Sequence, residues 1–216
     1  MSEVKLLEAS IREQMVRVGA ALYSRRYTTG SSGNISARLE DGWLITPTDA
    51  CLGHLVADEI AKVNAHCEWL SGSRPSKTLL LHRGIYERNP AVNGIVHTHS
   101  TSLVALTLTG LPDSDAILPP ITPYQVMKVG RVPLIPYERP GHPDVATQVA
   151  NLATDVRAVM LERLGPVAWG TTVEQAAWCI EELEETALLW HMSKGNVKPL
   201  SVAQVSELES TFNIRW

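Results

Sequence analysis

Cysteine, phenylalanine, surplus positive charge and long apolar runs are what this sequence has little of, and each shortage excludes something. Three cysteines in 216 residues, Cys51, Cys67 and Cys179, are odd in number and far apart. They suggest neither a disulfide framework nor a zinc ribbon, and they suit a reducing compartment, so a cytoplasmic location is expected. The first twenty residues intersperse Glu3, Lys5, Glu8, Arg12 and Glu13 among apolar positions, which breaks up the apolar core that a signal peptide or a membrane span needs. Lysine and arginine total 19 against 23 acidic residues, a net charge of -4. That balance offers no footprint for a nucleic-acid backbone, and the Arg25-Arg26 doublet is too small to change it. A single phenylalanine stands against six tryptophans. Trp190 and Trp216, late in the chain, suit either core filling or a subunit interface.

What is present is enough to bury one sizeable core, and the chain reads as one domain spanning residues 1–216. Apolar positions at near-helical spacing predict an opening helix over residues 4–23. Turn residues 30–34 then lead into a hairpin formed by residues 34–38 and 42–47. A helix is expected over 78–89, a buried strand over 94–99 and a short helix over 100–108. Beyond a proline-rich stretch come a strand at 132–135, a loop at 138–143 and a helix at 144–153. Strands at 157–161 and 166–169, a long helix at 172–192 and a last helix within 198–212 complete the order. This mixture predicts an α/β three-layer sandwich: a central, mainly antiparallel sheet with helices on both faces.

The chemistry gathers at a few points. Alternate residues of a strand face the same way, so His97 and His99 place two imidazoles on one side, about 6 to 7 Å apart at Cα, within reach of a shared divalent ion. Two imidazoles alone bind weakly, and the pattern asks for a further ligand from elsewhere. Gly33 and Asn34 in the glycine-flanked turn, Thr48 in the Thr46-Pro47-Thr48 turn, and Ser76 with Lys77 at a helix start offer N–H, hydroxyl and ammonium donors of the kind that cradle a phosphate.

In combination, GSSGNIS, WLITPT, PSK followed by an apolar helix carrying His82, GIVHTHS, and LERLGPVAWG before a long helix resemble the class II aldolase and adducin head family over nearly the whole chain. The resemblance implies a single α/β domain, a homotetramer with active sites at subunit junctions, and a zinc-like ion held by three histidines, the first two matching His97 and His99. It implies a supporting role for His82 and an acid near the active site at Tyr124. Three departures carry information. Thr78 stands where the aldolases have a catalytic glutamate and related epimerases an aspartate. Leu164 stands where the third histidine is usual, leaving His142 and Glu138 as the nearest substitutes. Asp49 replaces a glycine of the phosphate turn, and is left out of the cradle.

An aldolase needs a base to take a hydroxyl proton, and threonine is a poor one. Loss of carbon dioxide from a 3-oxo acid needs only an electron sink and a proton donor, for which Lys77 and Tyr124 are the candidates. Ser76-Lys77 in place of SS, the TPTD of residues 46–49 and the segment LPPITPYQVMKVGRVPLIPYERPG resemble the family's decarboxylases of phosphorylated 3-oxo-tetronates more than its sugar-phosphate aldolases. The expected activity is decarboxylation to a triose phosphate. Aldolase or epimerase chemistry, and a noncatalytic adducin-head-like binding domain, are the alternatives.

Overall fold

The computed structural model describes residues 3–109 and 114–216. Eight strands form one sheet: β1 (Asn34–Leu39), β2 (Gly42–Ile45), β3 (Ala61–Asn64), β4 (Trp69–Ser71), β5 (Gly94–His97), β6 (Leu134–Ile135), β7 (Ala158–Leu161) and β8 (Gly165–Gly170). Their order is β4-β3-β2-β1-β5-β8-β7-β6. Every pairing is antiparallel except β6 with β7. The mainly antiparallel sheet read from the sequence is therefore the one observed.

Alternation along the central strands divides the core in two. Ile35 and Ala37 of β1, Val96 of β5 and Ala168 of β8 pack with Met15 and Leu22 of α1 (Glu3–Ser24), Leu103 of α3 (Thr101–Leu106) and Ile180 and Leu183 of α5 (Val173–Met192). Ile95 of β5 and Val167 and Trp169 of β8 pack on the other side with Ile85 and Tyr86 of α2 (Leu79–Arg88) and Val149 of α4 (Pro143–Leu152). Helices thus cover both faces. The last helix, α6 (Val202–Phe212), starts at Ser201, whose side chain accepts from Gln204 N while the Gln204 side chain accepts from Ser201 N. Each link satisfies a backbone donor that helix geometry leaves unpaired.

The edge hairpin β3–β4 has no counterpart in the sequence reading. Its strands have only four and three residues, too few for the alternation of β3 to stand out, and β4 is exposed along its length. Trp190 packs against the core beneath α5, whereas Trp178 and Trp69 are the exposed tryptophans.

The end of β5 is pinned by its neighbour. Gly165 has φ +138°, and a Cβ there would lie 2.0 Å from the carbonyl oxygen of Thr98 and 3.1 Å from the Cα of His99. Gly165→Ala is expected to cost roughly 3 kcal/mol or more, because both the backbone conformation and the strand contact must give way. Urea denaturation would measure it, and a loss below about 1 kcal/mol would mean that the β5 end yields easily.

Candidate functional site

Strand alternation that sends Ile95 toward α2 and α4 sends His97 there too, and β1 delivers Asn34 to the same side, directly opposite His97 in the ladder. A cavity of about 180 Å³ opens between these strands, the start of α2 and the loop before α4. Asn34, Lys77, Thr78, His82, His97 and Leu164 line it, and Glu138 and His142 lie on its loop side.

His97 is buried, and its Nδ1 lies 2.9 Å from the carbonyl oxygen of Pro166. A carbonyl can only accept, so Nδ1 carries the proton and Nε2 keeps a free lone pair. His99 follows the strand end, with its ring centroid 5.0 Å from that of His97. Burial pushes His97 down to about 4 and lowers His99 as well, so both imidazoles are neutral near pH 7, the form that binds metal.

A third protein donor does not join them. Among the described residues no group of three or more histidine, cysteine, aspartate or glutamate side chains gathers as a metal-holding set. Leu164 forms cavity wall instead. His142 Nε2 lies 4.0 Å from Glu138 Oε2, and His142 Nδ1 accepts from Asp144 N at 3.3 Å, capping α4. Both substitutes are thus tied into their own loop. The pair His97 and His99 fits a divalent ion; a three-residue ligand set is not assembled among the described residues.

The residues read as an anion cradle converge from three segments. An isolated bridge joins Pro47 to Pro75, Thr48 N donates to Arg74 O at 2.9 Å and Ser76 N to Thr46 O at 3.2 Å. Ile35 N donates to Thr46 Oγ1 at 3.1 Å, which ties this turn to the start of β1. Gly33 has φ +82°, and a Cβ on it would stand 2.7 Å from the carbonyl oxygen of His97, so only glycine allows the turn to approach so closely. Ser76 Oγ lies 3.0 Å from Thr78 Oγ1. Asp49 is exposed and lies outside the residues lining the cavity.

Tyr124 is not brought to this cavity. It is 60% exposed and lines a separate groove with Arg131 and Trp216. His82 is buried with both nitrogens engaged, Nε2 at 2.6 Å from Asn34 Oδ1 and Nδ1 at 2.7 Å from Ser36 Oγ. It has no lone pair left for an ion. The sequence reading missed Ser36 and Tyr86, whose hydroxyls lie 2.8 Å apart. Their signal was there: residues 34, 36 and 38 share a strand face, and 82 and 86 share a helix face.

Burial also sets a pH dependence. Loss of solvation, with the neighbouring His97 adding to it, pushes His82 down to about 3, and His97 stands at about 4. The unfolded chain titrates both near the ordinary 6.5. It therefore binds more protons than the folded chain below that pH, and stability falls as pH drops from 6.5 toward 4. Each histidine contributes a slope approaching about 1.4 kcal/mol per pH unit. Urea midpoints measured in metal-free buffer are expected to follow this slope, and His82→Gln should roughly halve it.

Comparisons with known proteins place the chain among relatives of one family. The family model "Class II Aldolase and Adducin N-terminal domain" matches residues 13–191. A 3-oxo-tetronate 4-phosphate decarboxylase of Cupriavidus necator is 56% identical over 214 residues, covering 97% of this chain and 99% of that one. An L-fuculose phosphate aldolase of Methanococcus vannielii is 31% identical, covering 83% and 95%. The crystal structure of YgbL from Escherichia coli is 44% identical and superposes with a TM-score of 0.90, covering 94% of this chain and 99% of that one. Class II aldolases depend on a divalent metal. The chain belongs to the class II aldolase and adducin N-terminal domain family.

Proposed function

We propose that the protein is a carboxy-lyase that releases carbon dioxide from a phosphorylated 3-oxo-tetronate and leaves a triose phosphate of the dihydroxyacetone type. The observation that carries this reading is the wall of the cavity. Thr78 and Leu164 stand beside His97, Asn34 and Lys77, at the positions where aldolase chemistry would place a carboxylate base and a third histidine.

The phosphate end is held by Gly33, Asn34, Thr48, Ser76 and Lys77, whose donors and one ammonium suit a dianion. The carboxylate end then lies against Ile135, Leu161, Leu164 and Val167. An ionised carboxylate loses solvation against such a wall, and neutral carbon dioxide has little solvation to lose, so departure is favoured. A divalent ion on His97 and His99, zinc by donor type, would polarise the 3-oxo group and provide the sink for the electrons of the breaking C–C bond. A proton returns to the carbon that bore the carboxylate. Lys77 is the donor available within the same chain; Tyr124 serves only if a neighbouring copy brings it to the cavity.

A homo-oligomer, a tetramer by family resemblance, accords with the exposed Trp178, Leu189 and Met192 on α5. No described helix is long and apolar enough to cross a membrane, and three free cysteines suit the cytoplasm. The single-domain reading accords with one sheet spanning the chain. The 31% identity to a fuculose phosphate aldolase makes aldol cleavage the second reading. Carbon dioxide release from 3-oxo-tetronate 4-phosphates, assayed with elemental analysis of the protein, separates the two. Triose phosphate and an aldehyde released from a hydroxylated ketose phosphate, with no carbon dioxide from the 3-oxo acid, would favour the aldolase, and no turnover of either substrate with added metal would favour a noncatalytic binding domain.

A further inference from the structure

We infer that Tyr86, Ser36 and His82 form a one-way hydrogen-bond chain that holds Asn34 with its amide N–H groups toward the cavity, making His82 a positioning residue for the anionic end of the substrate. This rests on the phosphate cradle proposed above.

The direction of the chain follows from counting protons. Tyr86 Oη, Ser36 Oγ, His82 Nδ1, His82 Nε2 and Asn34 Oδ1 are joined in series at 2.8 Å, 2.7 Å and 2.6 Å. All four side chains are buried. If Tyr86 donates to Ser36, Ser36 donates to Nδ1 and Nε2–H donates to Asn34 Oδ1, each proton along the series has an acceptor. The amide nitrogen of Asn34 is then left over, beside the cavity that Asn34 lines. Run backwards, the series consumes the Asn34 N–H inside the network. It also strands the Tyr86 proton, because Ser36 Oγ is the single hydrogen-bond partner of that hydroxyl among the described residues. A buried hydroxyl without an acceptor costs free energy, so the forward direction wins.

The far end is anchored as well. The Tyr86 ring stacks on Trp43 with centroids 5.8 Å apart, and the Arg38 guanidinium sits over the ring, 4.8 Å from its centroid, while also donating to Tyr86 O at 2.7 Å. A strand face (34, 36, 38) and a helix face (82, 86) are thereby locked to each other. The outcome is a fixed donor at the point where an anion would enter. Without the chain, the amide of Asn34 could turn and present its oxygen, which repels an anion.

The test is a double-mutant cycle read by calorimetric binding of inorganic phosphate to the full-length protein. Asn34→Ala and His82→Phe should each weaken phosphate binding about tenfold. The double variant should bind no worse than Asn34→Ala alone, since His82 acts through Asn34. In turnover the loss should fall on KM rather than kcat, and His82→Gln, which can both accept from Ser36 and donate to Asn34, should recover most of it. If His82→Phe does not fold, Tyr86→Phe in the same cycle removes only the first donor of the series. Losses that multiply in the double variant, wild-type affinity in the His82 or Tyr86 variant, or no phosphate binding by the parent protein would each overturn the inference. Because the readout is phosphate binding, a protein that binds phosphate non-additively but releases no carbon dioxide would sink the decarboxylase reading and leave the chain standing.

Discussion

His97→Ala is expected to lower kcat/KM for carbon dioxide release by roughly 10³-fold or more, about 4 kcal/mol of barrier, while the protein still unfolds cooperatively. The reason lies in how little else is available. With Leu164 in place of a third donor, an ion depends on His97 and His99 alone among the described residues, so removing one leaves a single imidazole. The structural cost is the Pro166 hydrogen bond and the volume of one buried ring. That is of order 1 to 3 kcal/mol, which a domain of this size can absorb. Elemental analysis should show metal content falling with activity. Activity retained by the alanine variant would remove the end of β5 from the mechanism.

Thr78→Glu should have the opposite chemical logic and a nearly equal effect, lowering decarboxylation by about 100-fold or more at neutral pH. The side chain lies on the cavity wall beside Lys77 and within 3.0 Å of Ser76 Oγ. A carboxylate there would face the substrate phosphate beside Ser76 and Lys77, and two like charges a few ångströms apart repel by several kcal/mol even in a partly screened site, on the order of 4 kcal/mol. Repulsion and apolar surroundings would also raise the pKa of the new glutamate. Its damage should therefore fade as pH falls and the group becomes neutral. Carbon dioxide release measured from pH 8 to pH 5 would show this as a slope absent from the parent protein. Any aldol cleavage gained by the variant would mark Thr78 as the residue that separates the two chemistries. A variant as active as the parent at pH 8 would mean that the substrate phosphate lies elsewhere.

The features that were legible in advance are those set by neighbours in sequence. The alternation of β5 placed His97 with Ile95 on one face, and the glycine-flanked turn before β1 announced a close backbone approach, which Gly33 makes beneath the carbonyl of His97. The long helix expected from residue 172 is α5, which Thr172 caps by accepting from Gln175 N three residues on. Less legible was β3–β4, an edge pair of four and three residues whose outer strand is exposed throughout.

Sites made from distant segments were harder still. Glu138 and His142 are the nearest substitutes that the sequence offers for a third histidine, but the loop pairs them with each other and with the start of α4. Tyr124 was nominated by resemblance, and within the chain it belongs to a different groove. Ser36 and Tyr86 drew no notice because a serine on a strand and a tyrosine on a helix are ordinary until folding sets their hydroxyls 2.8 Å apart.

By itself, then, the sequence determined the family, the layered α/β architecture, the two imidazoles of one strand end and the absence of a carboxylate at Thr78. All of these follow from local periodicity, turn geometry or the chemistry of a single side chain. Only the tertiary structure decided which donors meet: that Asn34, Lys77 and His97 share a cavity with Leu164, that His82 is spent on Asn34 and Ser36, and that Tyr124 is elsewhere. Hydrogen bonds and metal coordination act over about 2 to 3 Å. Whether residues dozens of positions apart come that close depends on how the sheet and helices pack, which no local pattern specifies.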